Sequence, residues 1–174
     1  MMQDPSKVPS YSVSNASVVD VPALHRLGKA FHAAAQLERF AAWDLESFDL
    51  TVSSLLMGEV PGALLVVRDG SGLAHGMAGM VLFPLYFNRN VMVIQELFIF
   101  VEEEWRFGAG QALIRRLEEI WRGAGASLAM IGALSGLRDG AVTKLYSRAG
   151  YTPMEHSFVK RLDTESVESS TMEG

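Results

Sequence analysis

The hydrophobic pattern changes period along the chain, and each change predicts an element. A short strand is expected over Ala16–Val19, with Asp20 placed to cap the helix after it and Pro22 in that helix's first turn. Leu24, Leu27, Phe31 and the Ala34–Ala35 pair recur at helical spacing, so residues 23–44 read as helical with a break near Gln36. A second helical piece covers 44–57 and stops near Gly58, and Pro61-Gly62 turns the chain. Strands are then expected over Ala63–Val67 and Leu73–Phe83, joined at Asp69-Gly70-Ser71-Gly72, and over Val91–Val101, after a turn at Asn88-Arg89-Asn90. A helix follows over Gly110–Arg122, its apolar face built from Leu113, Leu117, Ile120 and Trp121. On its other face Arg115 with Glu119, and Glu118 with Arg122, are spaced as ion pairs. A strand over Ser127–Leu134, a helix over Asp139–Ala149 stopped by Gly150, and one or two strands within Tyr151–Leu162 complete the order. Together these predict a mixed α/β domain with a mostly antiparallel central sheet flanked by helices.

Composition narrows the class. The 174 residues suit one domain, read here as 15–162 between flexible tails at 1–14 and 163–174, the second acidic and rich in Ser and Thr. The formal net charge of -5 argues against a nucleic-acid partner. With no cysteine, thiolate nucleophiles and disulfides are excluded. The four histidines show no metal-ligand spacing, so no metal is expected. No apolar stretch is long enough to span a bilayer, which points to a cytoplasmic protein without a membrane partner.

The sharpest chemical feature is the passage from the Val91–Val101 strand through Trp105-Arg106-Phe107-Gly108-Ala109-Gly110-Gln111 into a helix. Glycines there allow positive φ and close approach of a ligand to the main chain. A helix N-terminus adds free N–H groups and positive potential, which suits a diphosphate, and Arg106 adds a cation. It is not a P-loop, because no Lys-Ser/Thr follows the second glycine, and Leu113 breaks a dinucleotide fingerprint.

From about Val18 to Leu162 the element order resembles the GCN5-related N-acetyltransferases. Their Q/R-x-x-G-x-G/A signature is met by Trp105-x-x-Gly108-x-Gly110, with Trp105 where Gln or Arg is usual. Their late Y-x-x-x-G-[FY] signature is met by Tyr146-Ser147-Arg148-Ala149-Gly150-Tyr151, and Asp139 stands where Asn often opens that helix. The resemblance implies an acyl-CoA N-acyltransferase fold, acetyl-CoA held by Arg106, Phe107, Gly108, Ala109, Gly110 and Gln111, and a primary amine as acceptor, small or on a protein. It implies that the pantetheine arm pairs with the main chain of Phe98, Ile99 and Phe100, with Phe98 and Phe100 the favoured partners and one N–H available to an oxyanion. It places Tyr146 at the departing thiolate. A phenol near pKa 10 giving its proton to a thiolate near 8.5 is uphill by about 2 kcal/mol, so Tyr146 is expected to act as a hydrogen-bond donor.

Glu96, inside the central strand, is the candidate base, with water-mediated deprotonation as the alternative. Glu102, Glu103 and Glu104 read as a solvated loop. His25 and His32 lie in the region that caps the family's acceptor site, though a lone histidine there more often packs. Phe83, Leu85, Tyr86 and Phe87 are candidates for an acceptor pocket or a homodimer contact. The competing reading is a catalytically silent CoA-binding sensor or interaction module of the same fold.

Overall fold

A computed structural model describes residues 10–133, 139–155, 157–160 and 162. Five strands form a single sheet in the order β1-β2-β3-β4-β5. The first four, β1 (Tyr11–Asn15), β2 (Gly62–Asp69), β3 (Ala74–Leu85) and β4 (Asn88–Val101), pair antiparallel with their neighbours. The last, β5 (Leu128–Met130), runs parallel to β4. Helices α1 (Val21–Ala34) and α2 (Leu45–Leu56) cover one face, and α3 (Arg106–Gly123) covers the other. The fourth helix, α4 (Asp139–Arg148), follows β5.

Strand alternation divides the core into two layers. Leu64, Val66, Met77, Phe98 and Phe100 face Leu24, Leu27, Val52 and Leu55 of the first helix pair. Leu65, Val67, Ala78, Met80, Ile94 and Val101 face Leu113, Leu117 and Trp121 of α3. Gly79 is required by this packing, because a Cβ there would lie 2.4 Å from the Phe98 ring.

The helices fall where the periodicity put them. Gln36 breaks the first in the left-handed region at φ 54°, and Asp44 caps α2 by accepting from the Glu46 N–H at 3.0 Å. Several strand and contact expectations are corrected. The first strand is Tyr11–Asn15, all but its last residue inside the stretch read as a tail, and Val18–Asp20 is a 3-10 turn. That turn leaves Val18 and Val19 exposed, so their β-branched character reflects no ladder. The β3–β4 hairpin turns at Tyr86–Phe87, since Leu85 already pairs with Asn88. Both aromatics are exposed at its tip and stack edge-on. Glu119 pairs with Arg116 at 3.0 Å rather than with Arg115, while Glu118–Arg122 forms as expected. The strand expected within Tyr151–Leu162 does not form among its described residues, where Phe158, Val159 and Leu162 are exposed and lie in no ladder. The end of the Ser127–Leu134 strand, His156, Arg161 and the tails 1–9 and 163–174 lie outside the described residues.

One buried ion pair fastens the first helix to the sheet. Asp20 does not cap α1 with its carboxylate; it accepts instead from Ser17 N–H at 2.7 Å and from both terminal nitrogens of Arg68 on β2. Burial pushes this carboxyl upward, but the bonds from Arg68 and Ser17 outweigh it and hold the pKa below its ordinary value. The contribution to stability is therefore present above the unfolded-state value and lost as pH falls through the acid range. Asp20→Ala leaves Arg68 half-desolvated and uncompensated, and should cost about 3 kcal/mol at pH 7. Urea unfolding checks this, and the deficit should shrink on titration below about pH 4.

Candidate active site

The site is built where β4 and β5 part. Their ladder joins Val93–Gln95 to Leu128–Met130, and one further bond, Ser127 N–H to Met92 carbonyl at 2.9 Å, closes its beginning. Beyond Gln95 the strands separate, so the outer edge of β4 carries main-chain groups with no ladder partner on β5. At the same point the β3 register shifts: Gly79 pairs with Phe98 and Met80 with Glu96, leaving Leu97 as the extra residue of a bulge. The bulge re-aims the chain, placing Leu97 and Phe98 toward α2 and Glu96 toward the α3 side.

Alternation decides which amides are available. Glu102 N–H donates to His75 carbonyl across the β3 side at 2.9 Å, so Phe100 and Phe98 point their N–H groups toward β3 as well. Ile99, between them, faces the open edge. Phe98 and Phe100, expected as main-chain partners of a bound arm, thus turn their amides toward β3, and both side chains are buried in the core.

Glu96 and Tyr146 converge on one residue across this opening. The Glu96 carboxylate accepts from Gly132 N–H at 2.9 Å and also from Ile99 N–H, so it bridges the parted segments. Tyr146, on α4, donates its hydroxyl to the Gly132 carbonyl at 3.0 Å. Burial pushes the Glu96 carboxyl up to about 7, and the two N–H bonds pull the other way without offsetting it. Burial, and then the charge of Glu96, push the Tyr146 phenol well above its ordinary value. The arrangement holds a carboxylate poised to exchange a proton near neutral pH beside a phenol that stays protonated.

The entry to α3 supplies a cradle. Phe107 and Gly108 interrupt the helical geometry, Gly108 at φ 80°, so regular helix begins at Ala109. The N–H groups of the following turn have no earlier helical carbonyl to bind. Ala109 is fully buried under the loop, and Gly110 lies so close to α4 that a Cβ would stand 3.4 Å from Leu145. Arg106 turns back, its Nε donating to the Val101 carbonyl at 2.9 Å, while Phe107 is exposed and Gln111 half-buried. The free N–H donors of this loop suit an anionic group such as a diphosphate.

Two features escaped the sequence reading. Tyr11, assigned there to a tail, brings its hydroxyl to 3.1 Å from where a Gly108 Cβ would stand. Glu102 is no solvated loop residue but bonds His75 and Arg26. The aromatic in an alternating Tyr11–Val13 pattern was the available signal for the first. His25 bonds Asp49 at 2.6 Å and His32 bonds the Ala41 carbonyl at 2.9 Å, so both tie local structure together. Among the described residues no cluster of three or more His, Cys, Asp or Glu side chains is arranged to hold a metal, and no helix is long and apolar enough to cross a membrane.

Solved structures share this architecture. An aminoglycoside acetyltransferase from an uncultured soil metagenomic sample matches with TM-score 0.67 at 20% identity, over 88% of this chain and 99% of its own. AAC(6')-Iy, in complex with a bisubstrate analog made from CoA and acetylneamine, matches with TM-score 0.69 at 14% identity, over 87% and 97%. Glucosamine-6-phosphate N-acetyltransferase from Arabidopsis thaliana matches with TM-score 0.65 at 13% identity, over 88% and 99%. The chain has the GCN5-related N-acetyltransferase fold. No family model matches the sequence, and no curated protein sequence matches it either. Within this fold, the loop that opens α3 and the parted strands of the present chain lie on consecutive segments, because β4 runs into that loop.

Glu96 gives this site a measurable pH signature. Its folded pKa is raised, so the associated stability is full below about 4.5 and is lost as pH rises through about 7. Glu96→Gln should therefore gain on wild type by on the order of 2–3 kcal/mol between pH 4.5 and pH 8. Denaturant unfolding at the two pH values reads the difference. A constant difference would mean the carboxyl keeps an ordinary pKa.

Proposed function

We propose that this chain is an N-acetyltransferase that transfers the acetyl group of acetyl-CoA to a primary amine by direct attack. The observation that carries the reading is the meeting of Glu96 and Tyr146 at Gly132, across the opening that the β4 bulge creates. Support comes also from the fold, whose solved relatives include acetyltransferases named for aminoglycosides and for glucosamine-6-phosphate, both amines.

The roles follow from placement. The N–H groups from Gly108 to Gln111 hold the diphosphate, with Arg106 and Phe107 at its rim and Ala109 anchoring the turn in the core. The edge of β4 at Ile99 pairs with the pantetheine arm as an added strand would, once Glu96 releases that N–H. The bound donor supplies an activated acetyl thioester. Glu96 takes the proton that the amine loses as its nitrogen bonds to the acetyl carbon. Tyr146 turns its O–H from the Gly132 carbonyl to the sulfur as the C–S bond breaks. Its raised pKa makes full proton transfer more unfavourable than reference values imply, so the phenol stabilises the thiolate by hydrogen bonding.

A second reading, a CoA-binding module without turnover, takes its support from the same bridge. In this structure Glu96 spans the opening and engages the Ile99 and Gly132 amides that a bound arm would displace it from. Thiol release from acetyl-CoA with a panel of amines separates the two readings.

Tyr146→Phe should keep the fold and lower kcat by about 10- to 150-fold, the loss of one hydrogen bond to a charged group. In wild type, kcat should rise with pH through about 7, and Glu96→Gln should abolish that limb. Acetyl-CoA at about 100 times its Kd should stabilise the chain by about 2.7 kcal/mol in thermal or denaturant unfolding. Stabilisation without thiol release on any amine would favour the silent module.

A further inference from the structure

The residue that opens the cradle, Trp105, is held by a network that the chemistry above does not use. Its indole lies parallel to the His75 ring, with centroids 4.0 Å apart and planes 10° apart. His75, at the start of β3, is nearly buried and faces a carboxylate at each ring nitrogen. Nδ1 lies 2.7 Å from Glu102, in the turn after β4, and Nε2 lies 3.2 Å from Asp69, at the end of β2. Arg26 of α1 pairs with the other oxygen of Glu102 and donates to the Ala74 carbonyl at 2.6 Å. The Ser71 hydroxyl, followed by His75 and the amides of Leu73 and Ser71, holds the Asp69 carboxyl down at about 2. Asp69 and Glu102 thus face the ring, with Arg26 behind Glu102.

Only an imidazolium donates from both ring nitrogens at once. The neutral ring would turn a lone pair toward one of the two carboxylates. A cationic ring also binds an indole face more strongly than a neutral one does. The Trp105 main-chain N–H donates to the Glu102 carbonyl at 3.0 Å, and Gly108 takes its left-handed conformation three positions later.

We propose that His75 is a positioning residue for the acyl-donor loop: bonded to Asp69 and Glu102 and stacked on Trp105, its ring holds the turn that leads into the cradle. The inference rests on the donor site proposed above. It assigns part of the donor affinity to a residue of β3, outside the cradle itself.

The test is calorimetric titration of the full chain with CoA. The variants are His75→Phe, which keeps a flat ring without the two ring nitrogens, and Trp105→Leu, which removes the indole and leaves the carboxylate clamp intact. Each should bind CoA about tenfold more weakly than wild type. With saturating donor, kcat of His75→Phe should change by less than about twofold, the loss appearing in KM. Wild-type affinity in both variants would overturn the clamp while leaving the donor site standing. Failure of wild type itself to bind CoA would remove the donor site and this inference together.

Discussion

The parting of β4 from β5 is the constraint on which the site depends. A parallel ladder that stops after Val93–Gln95 leaves a buried strand with an unpaired edge, and buried main-chain groups demand partners. The chain meets that demand from within. The bulge at Leu97 turns Glu96 toward the opening, and its carboxylate takes the amides of Ile99 and Gly132. The same burial that makes these bonds strong raises the carboxyl toward neutral pH. Satisfying the edge and tuning a proton acceptor are therefore one event in this structure.

The cradle depends on the same strand by direct continuation. β4 ends at Val101, whose carbonyl receives Arg106, and the turn between them carries Glu102 and Trp105 into contact with His75. Rigid elements on both sides hold the irregular loop: β1 brings Tyr11 against Gly108, and α4 brings Leu145 against Gly110. A loop with left-handed geometry at Gly108 persists because its neighbours fix it. The two signatures in the sequence, about forty residues apart, meet here through the Gly110–Leu145 contact.

Local chemistry was legible in the sequence wherever it depends on neighbours in the chain. The helical spacing of Leu24, Leu27 and Phe31, the Asp44 cap, the Asp69-Gly70-Ser71-Gly72 turn and the glycines of the cradle all express short-range preferences, and the structure follows them. Glu96 stood out because a carboxylate inside an apolar strand must find a compensating environment. What the sequence left open depends on pairing. Whether Tyr11–Asn15 or Ala16–Val19 makes the first strand rests on which segment finds the β2 edge. Which of Phe98, Ile99 and Phe100 offers its amide outward depends on the register against β3, and one extra residue at Leu97 resets it.

The sequence by itself therefore determined the order of elements from α1 to α4, the left-handed glycine loop and the residue types available for proton transfer, because these follow from local sterics and side-chain chemistry. Tertiary structure alone decided that Glu96 and Tyr146 share Gly132, that Ile99 faces the opening, and that His75 stacks on Trp105. Each of those contacts joins residues on separate elements, and their separation is set by strand register and sheet order, which no single segment encodes.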